Sequence, residues 1–206
     1  MRTGMDLILI RHPAVAVATG ICYGASDVPL AAAPHIEIAR LADRLTTLCE
    51  GRSVQFHAST LSRCTAIATP LARHFEAVLQ TDARLRELDF GRWEMQAWDA
   101  IPRAELDTWA DDVEHACTHG GESVSALAGR VQSWLTELET HSHPPETEAG
   151  ACAVVLTHAG VMRVLAALAL RLPLAASLDW QLELGAICHL RRRWRGDGWT
   201  LVSWNY

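Results

Sequence analysis

The stretch Cys152–Thr157, CAVVLT, decides the fold class of this chain. Every residue in it is apolar or β-branched, and the run is too short for a helix of ordinary length, so it predicts a strand buried on both faces. Asp6–Arg11, DLILIR, repeats the pattern near the start of the chain, and Ser53–Ala58, SVQFHA, is a third predicted strand. Fully apolar strands of this kind are typical of parallel sheets that helices cover on both sides.

Apolar residues at helical spacing alternate with these strands. Helices are predicted over His35–Glu50, Thr60–His74, Trp98–Trp109, Ser123–Leu138 and Gly160–Leu170. The second of them is expected to have its N-cap at Ser59 or Thr60. The segments Leu85–Trp98 and Ser142–Gly150 are predicted to be irregular, and Ala186–Arg191 and Trp199–Trp204 to be two closing strands. This order predicts an α/β fold, a three-layer αβα sandwich with a mostly parallel central sheet.

The length of 206 residues is typical of one domain, and no linker interrupts it. We therefore expect a single domain over residues 1–206, with residues 90–125 as a small cap over the functional site.

The charge balance limits the classes of partner. A net charge of -6 argues against a general binder of nucleic acid or membrane surfaces, and the basic run at 191–195 is interpreted as the edge of a late strand. No apolar run approaches the ~18 residues of a membrane span. The six cysteines form no CxxC pair, and no signal-peptide pattern precedes the first strand, so a reducing cytoplasm is the expected location.

Two histidines follow predicted strands at the place where α/β proteins bind ligands. His12 comes directly after Arg11 at the end of the first strand, and His158 follows the strand at 152–157. Arg63 is expected one turn into the helix after the second strand. Ligands bind outside the carboxyl ends of such strands, and arginine is well suited to phosphate. Arginines beside histidines favour an anion over a metal cation, so the sequence predicts a phosphoryl site with no metal.

Four motifs in order strengthen this interpretation. They are Leu9-Ile10-Arg11-His12-Pro13, Ser59-Thr60-Leu61-Ser62-Arg63, Leu85-Arg86-Glu87-Leu88-Asp89-Phe90-Gly91-Arg92-Trp93-Glu94 and Thr157-His158-Ala159-Gly160-Val161-Met162-Arg163. The set resembles the histidine phosphatase superfamily, which includes the cofactor-dependent phosphoglycerate mutases.

The resemblance implies a role for each matching residue. His12 resembles the nucleophile that becomes phosphohistidine. Arg11, Arg63 and His158 resemble the groups that hold the phosphate, and His158 shares in catalysis. Glu87 resembles the general acid that protonates the leaving oxygen, although Glu94 and Glu122 are rival acids. Tyr23, Trp93 and Glu122 are candidate substrate-binding residues. No cofactor is implied, the partner is a small-molecule phosphate ester, and a homodimer is left open.

Departures from the common pattern point to a subfamily. Pro13 replaces the usual glycine, Val15 and Ala18 stand where many members carry polar residues, and Ala159 replaces another glycine. With Gly20-Ile21-Cys22-Tyr23-Gly24 and Gly120-Gly121-Glu122-Ser123, the chain looks like the α-ribazole phosphatases of cobalamin synthesis. That likeness implies removal of the 5′-phosphate of α-ribazole phosphate or of adenosylcobalamin phosphate. A broad-specificity histidine phosphatase, a phosphoglycerate mutase and a phosphate-sensing or scaffold protein are the alternatives.

Overall fold

The computed structural model describes residues 4–141, 150–192 and 198–206. Within these ranges one six-stranded sheet has the order β3-β2-β4-β1-β5-β6. The strands are β1 (Met5–Arg11), β2 (Ser53–Ser59), β3 (Leu79–Asp82), β4 (Ala151–Thr157), β5 (Ile187–Arg192) and β6 (Trp199–Ser203). Strands β1 to β4 are mutually parallel, and β5 runs antiparallel to both of its neighbours.

Helices cover both faces of the sheet. They are α1 (His35–Leu48), α2 (Ser62–His74), α3 (Arg103–Asp111), α4 (Val124–His141), α5 (Ala159–Leu170) and α6 (Ala175–Leu178), with short 3₁₀ turns at Ala83–Leu85, Gly91–Trp93 and Trp98–Ala100. No helix in the described ranges is long and apolar enough to cross a membrane.

Alternation along β1 divides the core into two layers. Leu7 and Leu9 belong to the cluster that contains α4 and α5, whereas Ile8 and Ile10 belong to the cluster that contains α1 and α2. Successive side chains of a strand point to opposite faces, so a strand that is apolar throughout must be covered twice. The predicted three-layer αβα sandwich with a mostly parallel sheet is confirmed.

The start of α2 differs from the prediction. Ser59 is the last residue of β2, and the N-cap is Leu61, whose side chain cannot accept a hydrogen bond. The capping role passes to a distant loop, because Asp27 Oδ1 accepts bonds from the amide and the hydroxyl of Ser62, both at 2.7 Å. The expected N-cap at Ser59 or Thr60 is wrong, and Ser59 is free for the site described below.

The predicted helix Trp98–Trp109 is also wrong in its first half. Pro102 ends the 3₁₀ turn at Trp98–Ala100, and α3 begins at Arg103. Proline disfavours helical geometry in the residue before it and lacks the amide proton that an interior position needs. The prediction also missed β3, whose four residues include one large apolar side chain, Leu79. The predicted loop at 142–149 lies outside the described residues, as do Arg193 and Arg195 of the basic run.

Candidate active site

The carboxyl ends of β1, β4 and β2 bring the predicted site residues together. Arg11 is the register partner of Thr157 in the parallel pair β1–β4, so the residues that follow them, His12 and His158, emerge side by side. Their rings are 5.2 Å apart between centroids, with an interplanar angle of 60°. Strand β2 pairs with β4 on the other side and adds Ser59 and then Arg63.

His12 has one ring nitrogen engaged and one with a free lone pair. Nδ1 lies 2.7 Å from the carbonyl oxygen of Pro13 and donates its proton there, so Nε2 is the unprotonated nitrogen of the neutral ring. The side chain is 2% exposed. Burial first, and then the positive charges of Arg63 and Arg11, lower the pKa of His12 to about 3, although the bond to Pro13 acts in the opposite direction. His12 is therefore uncharged at neutral pH, with the lone pair of Nε2 available.

Arg63 is a fully buried cation without a carboxylate partner in the described residues. Its guanidinium donates to the carbonyls of Gly24 and Ser26 at 2.6 and 2.7 Å, and Nε donates to His158 Nδ1 at 3.2 Å. Burial lowers the pKa of Arg63. A buried charge is costly unless it is paired, so an anionic ligand is the natural counter-ion at this place.

His158 is also buried and neutral. Burial first, and then the charge of Arg63, hold its pKa well below the usual value. Because Nδ1 accepts from Arg63, the ring proton is on Nε2, which lies 2.8 Å from Ser59 Oγ. Ser59 therefore fixes the orientation of the second histidine.

Arg11 completes the positive side of the site. Its NH1 group donates to the carbonyl of Leu182, whereas its buried Nε has no hydrogen-bond partner among the described residues. An unpaired buried donor costs free energy, so Nε is available to an anion placed next to His12.

The Glu87 carboxylate lies against the first turn of α5, the helix that begins directly after His158. The carboxylate accepts from the amides of Gly160 (Oε2) and Leu88 (Oε1), each at 3.1 Å. A Cβ atom on residue 160 would lie 2.4 Å from Glu87 Oε1, so only glycine leaves room for the carboxylate there. The arrangement brings together an uncharged histidine with a free lone pair, two arginines, a second histidine and one carboxyl group, from four separate motifs.

Comparison with known proteins agrees with this chemistry. Residues 7–206 match the model of the histidine phosphatase superfamily (branch 1). The chain belongs to the histidine phosphatase superfamily. It is an enzyme of the phosphatase type.

Three relatives show the range of activities around it. The chain is 28% identical to the adenosylcobalamin/alpha-ribazole phosphatase of Escherichia coli K12 over 186 residues, covering 88% of this chain and 87% of that one. It is 25% identical to a probable phosphoglycerate mutase of Salmonella paratyphi C, over 97% of this chain and 92% of that one. The solved structure of mycobacterial glucosyl-3-phosphoglycerate phosphatase superposes with a TM-score of 0.82 and 25% identity, over 97% and 98% of the two chains.

Two rival acids of this histidine phosphatase have other partners. The Glu94 carboxylate accepts from the amides of Ala25, Ser26 and Phe90 and from the Ser26 hydroxyl, at 2.6 to 3.1 Å. It ties the loop that holds Arg63 to the segment after Glu87. Both carboxylate oxygens are taken up by these four hydrogen bonds, so Glu94 is a structural group.

Glu122 forms a two-point ion pair with Arg130, at 2.7 and 2.8 Å. Arg130 also donates to the backbone carbonyls of Arg84 and Glu87, at 2.6 and 3.2 Å. Glu122 is thus linked through Arg130 to the backbone of Glu87, and its expected contact with substrate stays a prediction. Sequence reasoning missed Arg130, since one arginine on a helix carries no local signal.

The two aromatic candidates are placed differently. Tyr23 borders the site, with its ring 6.3 Å from the His12 ring and 5.4 Å from the guanidinium carbon of Arg63. Trp93 is 1% exposed, packs with Ile101 and donates its indole N–H to Glu105 at 2.9 Å. The expected contact of Trp93 with substrate is corrected to a packing role, because its neighbours and its hydrogen bond leave no face for a ligand.

Proposed function

We propose that the chain hydrolyses phosphate monoesters in two steps through a phosphohistidine at His12. In the first step, the Nε2 lone pair attacks phosphorus and the bond from phosphorus to the ester oxygen breaks. Glu87, as a carboxylic acid, gives its proton to that leaving oxygen. In the second step, a water molecule attacks the phosphohistidine, Glu87 takes the proton from the water, and inorganic phosphate leaves.

One observation carries the proposal: a neutral histidine with a free Nε2 lies beside the buried Arg63 and the half-buried Arg11, and neither arginine has a carboxylate partner in the described residues. Phosphoryl transfer spreads negative charge over three oxygens, and fixed donors around them supply most of the catalysis. We assign Arg11, Arg63 and His158 to these oxygens. His158 must then change its tautomer, so that Nδ1 carries the proton and donates to phosphate, while Nε2 accepts a hydrogen bond from the Ser59 hydroxyl.

We propose that residues 90–125 form a small cap over this site. They carry two 3₁₀ turns and α3, and their buried cluster includes Cys22 from the loop that also supplies Arg63 contacts. The amide of Arg92 bonds the carbonyl of His119, which closes the segment on itself at 2.9 Å. A cap tied to the phosphate loop would exclude bulk water from the first step.

The nucleophile is tested by substitution. His12→Ala should lower kcat for a simple aryl phosphate on the order of 10⁴-fold or more, because no other group takes over the attack. His74→Ala removes an exposed histidine of α2 and serves as the matched control, with unchanged kcat expected. Turnover by His12→Ala at the rate of the control would overturn the mechanism.

For the substrate, we propose the 5′-phosphate of α-ribazole phosphate or of adenosylcobalamin phosphate, within cobalamin synthesis in the cytoplasm. Support comes from the likeness of Arg11-His12-Pro13 and Gly20-Ile21-Cys22-Tyr23-Gly24 to the motifs of that subfamily and from the 28% identity to the Escherichia coli enzyme of that name. The other two relatives define the alternatives, phosphoglycerate mutation and hydrolysis of glucosyl-3-phosphoglycerate.

A panel of purified esters separates these substrates. The kcat/KM for α-ribazole phosphate should exceed that for glucosyl-3-phosphoglycerate and 3-phosphoglycerate by at least tenfold. Conversion of 3-phosphoglycerate to 2-phosphoglycerate faster than release of phosphate would make the chain a mutase. Preference for the glucosyl ester would move it to the mycobacterial type.

A further inference from the structure

A second feature of this region is an apolar cavity that is lined in part by Glu87. It has a volume of about 200 Å³ and lies between the cap, α4 and α5. Its principal walls are Leu88, Phe90, Trp109, Leu127, Val164 and Leu178. An apolar cavity of roughly 150 Å³ suffices to bind benzene, so this one has room for a ring system.

The cavity adjoins the place where the leaving oxygen must lie. Its walls include Glu87, Ala159 and Gly160. Gly160 lies two residues after His158, and its amide donates to the Glu87 carboxylate. If Glu87 protonates the leaving oxygen, the carbon attached to that oxygen points away from His12, since attack and departure are in line. Glu87 belongs both to the site and to the wall of this cavity, so the cavity can receive that carbon.

The chemistry of the walls is nearly uniform. Two of the twelve lining residues are charged, Glu87 and Arg163, and the indole of Trp109 is the only other side chain there with a hydrogen-bonding group. Burying a hydroxyl group that finds no hydrogen-bond partner is unfavourable, because the group loses its bonds to water. A polyhydroxy alcohol would leave several hydroxyls unpaired in this cavity, whereas a ring would bury carbon against carbon.

Two side chains in the walls carry N–H donors, those of Trp109 and Arg163. The buried Trp109 Nε1 has no hydrogen-bond partner among the described residues. Arg163 donates through Nε to the carbonyl of Trp180 at 2.9 Å and forms no ion pair within the described ranges. A guanidinium can also stack on a flat π system. Both residues therefore suit a planar ring better than an aliphatic chain.

We propose that this cavity is the leaving-group subsite and that it selects phosphate esters of alcohols that carry a planar apolar ring over esters of polyhydroxy alcohols. The inference rests on the two-step reaction proposed above, and it identifies Leu178, Val164 and Trp109 as specificity-determining residues.

The test compares kcat/KM for three esters: 1-naphthylmethyl phosphate, glucose 6-phosphate and glycerol 3-phosphate. We expect the naphthylmethyl ester to be preferred over glucose 6-phosphate by about 100-fold, since differences of one methylene in an apolar pocket already give 10–200-fold. Leu178→Asn, at a half-buried wall position, should reduce that preference about tenfold. Leu168→Asn is the control, a half-buried leucine of α5 that packs on the same core cluster without lining the cavity.

Each outcome decides between the two claims. Comparable kcat/KM for all three esters in the unmodified protein would overturn the inference and leave the phosphatase proposal standing. Hydrolysis of none of them would overturn both. A preference that Leu178→Asn leaves intact, or that Leu168→Asn lowers equally, would show that the cavity is not its source.

Discussion

The protonation state of His12 gives a prediction with a magnitude. The perturbation is a fall in pH from 7 to 5. Burial of the ring and the charges of Arg63 and Arg11 lower its pKa to about 3, so His12 keeps its Nε2 lone pair over this range. At pH 5 about 99% of the rings are neutral with a pKa near 3, against about 3% with the ordinary 6.5, a difference of about 30-fold in competent nucleophile.

Nuclear magnetic resonance of ¹⁵N-histidine-labelled protein measures this directly. We expect one ring whose Nε2 keeps the shift of an unprotonated nitrogen from pH 7 to pH 5, with its proton on Nδ1. The His12→Gln spectrum assigns the signal by its loss. A His12 signal that titrates with a midpoint near 6.5 would refute the reasoning, because the burial and the two arginine charges would then have no effect.

The lowered pKa of His12 also affects the stability of the fold. In the unfolded chain His12 takes up a proton below its ordinary pKa of 6.5, whereas the folded protein does so only near 3. The unfolded state therefore binds more protons between these values, and the free energy of unfolding must fall as the pH drops through that window. His12→Gln, which does not titrate, should lose less stability than the unmodified protein between pH 6.5 and pH 4.

Three further substitutions test the surroundings of the site. Burial alone would raise the pKa of Asp6, but hydrogen bonds and nearby positive charges lower it to about 2. Asp6→Asn should therefore lower the free energy of unfolding, measured with urea, by about 2 kcal/mol above pH 3.8. The difference should shrink progressively as the pH falls to 2. Gly160→Ala places a Cβ atom 2.4 Å from Glu87 Oε1; the carboxylate must move by about 1 Å, and kcat should fall about 100-fold with the melting temperature nearly unchanged. Glu122→Gln breaks the ion pair with Arg130 and should lower the free energy of unfolding by about 1–2 kcal/mol. It should also lower kcat by a larger factor than it raises KM, because Arg130 holds the backbone of Glu87. An unchanged kcat would show that the pair does not position Glu87.

The sequence predicted the parts of the site that follow directly from strand ends. The positions of His12 and His158 were predictable because a short apolar run indicates a buried strand. The residues that follow parallel strands meet at one edge of the sheet. Arg63 followed from its motif, although the cap of its helix did not, since Asp27 reaches Ser62 across 35 residues.

What the sequence could not give depends on contacts between distant segments. The sequence around Trp93 does not show whether its ring packs in the core or faces a ligand. The positions of Glu105 and Ile101 in the fold determine that it packs. The ion pair of Glu122 with Arg130 joins a loop to a helix eight residues on, without a motif that marks it. Pro102 marks the break in the predicted helix, although the apolar residues on either side of it keep helical spacing.

Phosphoenzyme trapping tests the central claim most directly. The protein is mixed with a ³²P-labelled ester for milliseconds, quenched in base and digested, and the labelled peptide is identified by mass spectrometry. The mechanism predicts a base-stable, acid-labile phosphoryl group on the peptide that contains His12, absent from His12→Ala. Hydrolysis of the ester at full rate with no label on His12, or with the label on another residue, would contradict it.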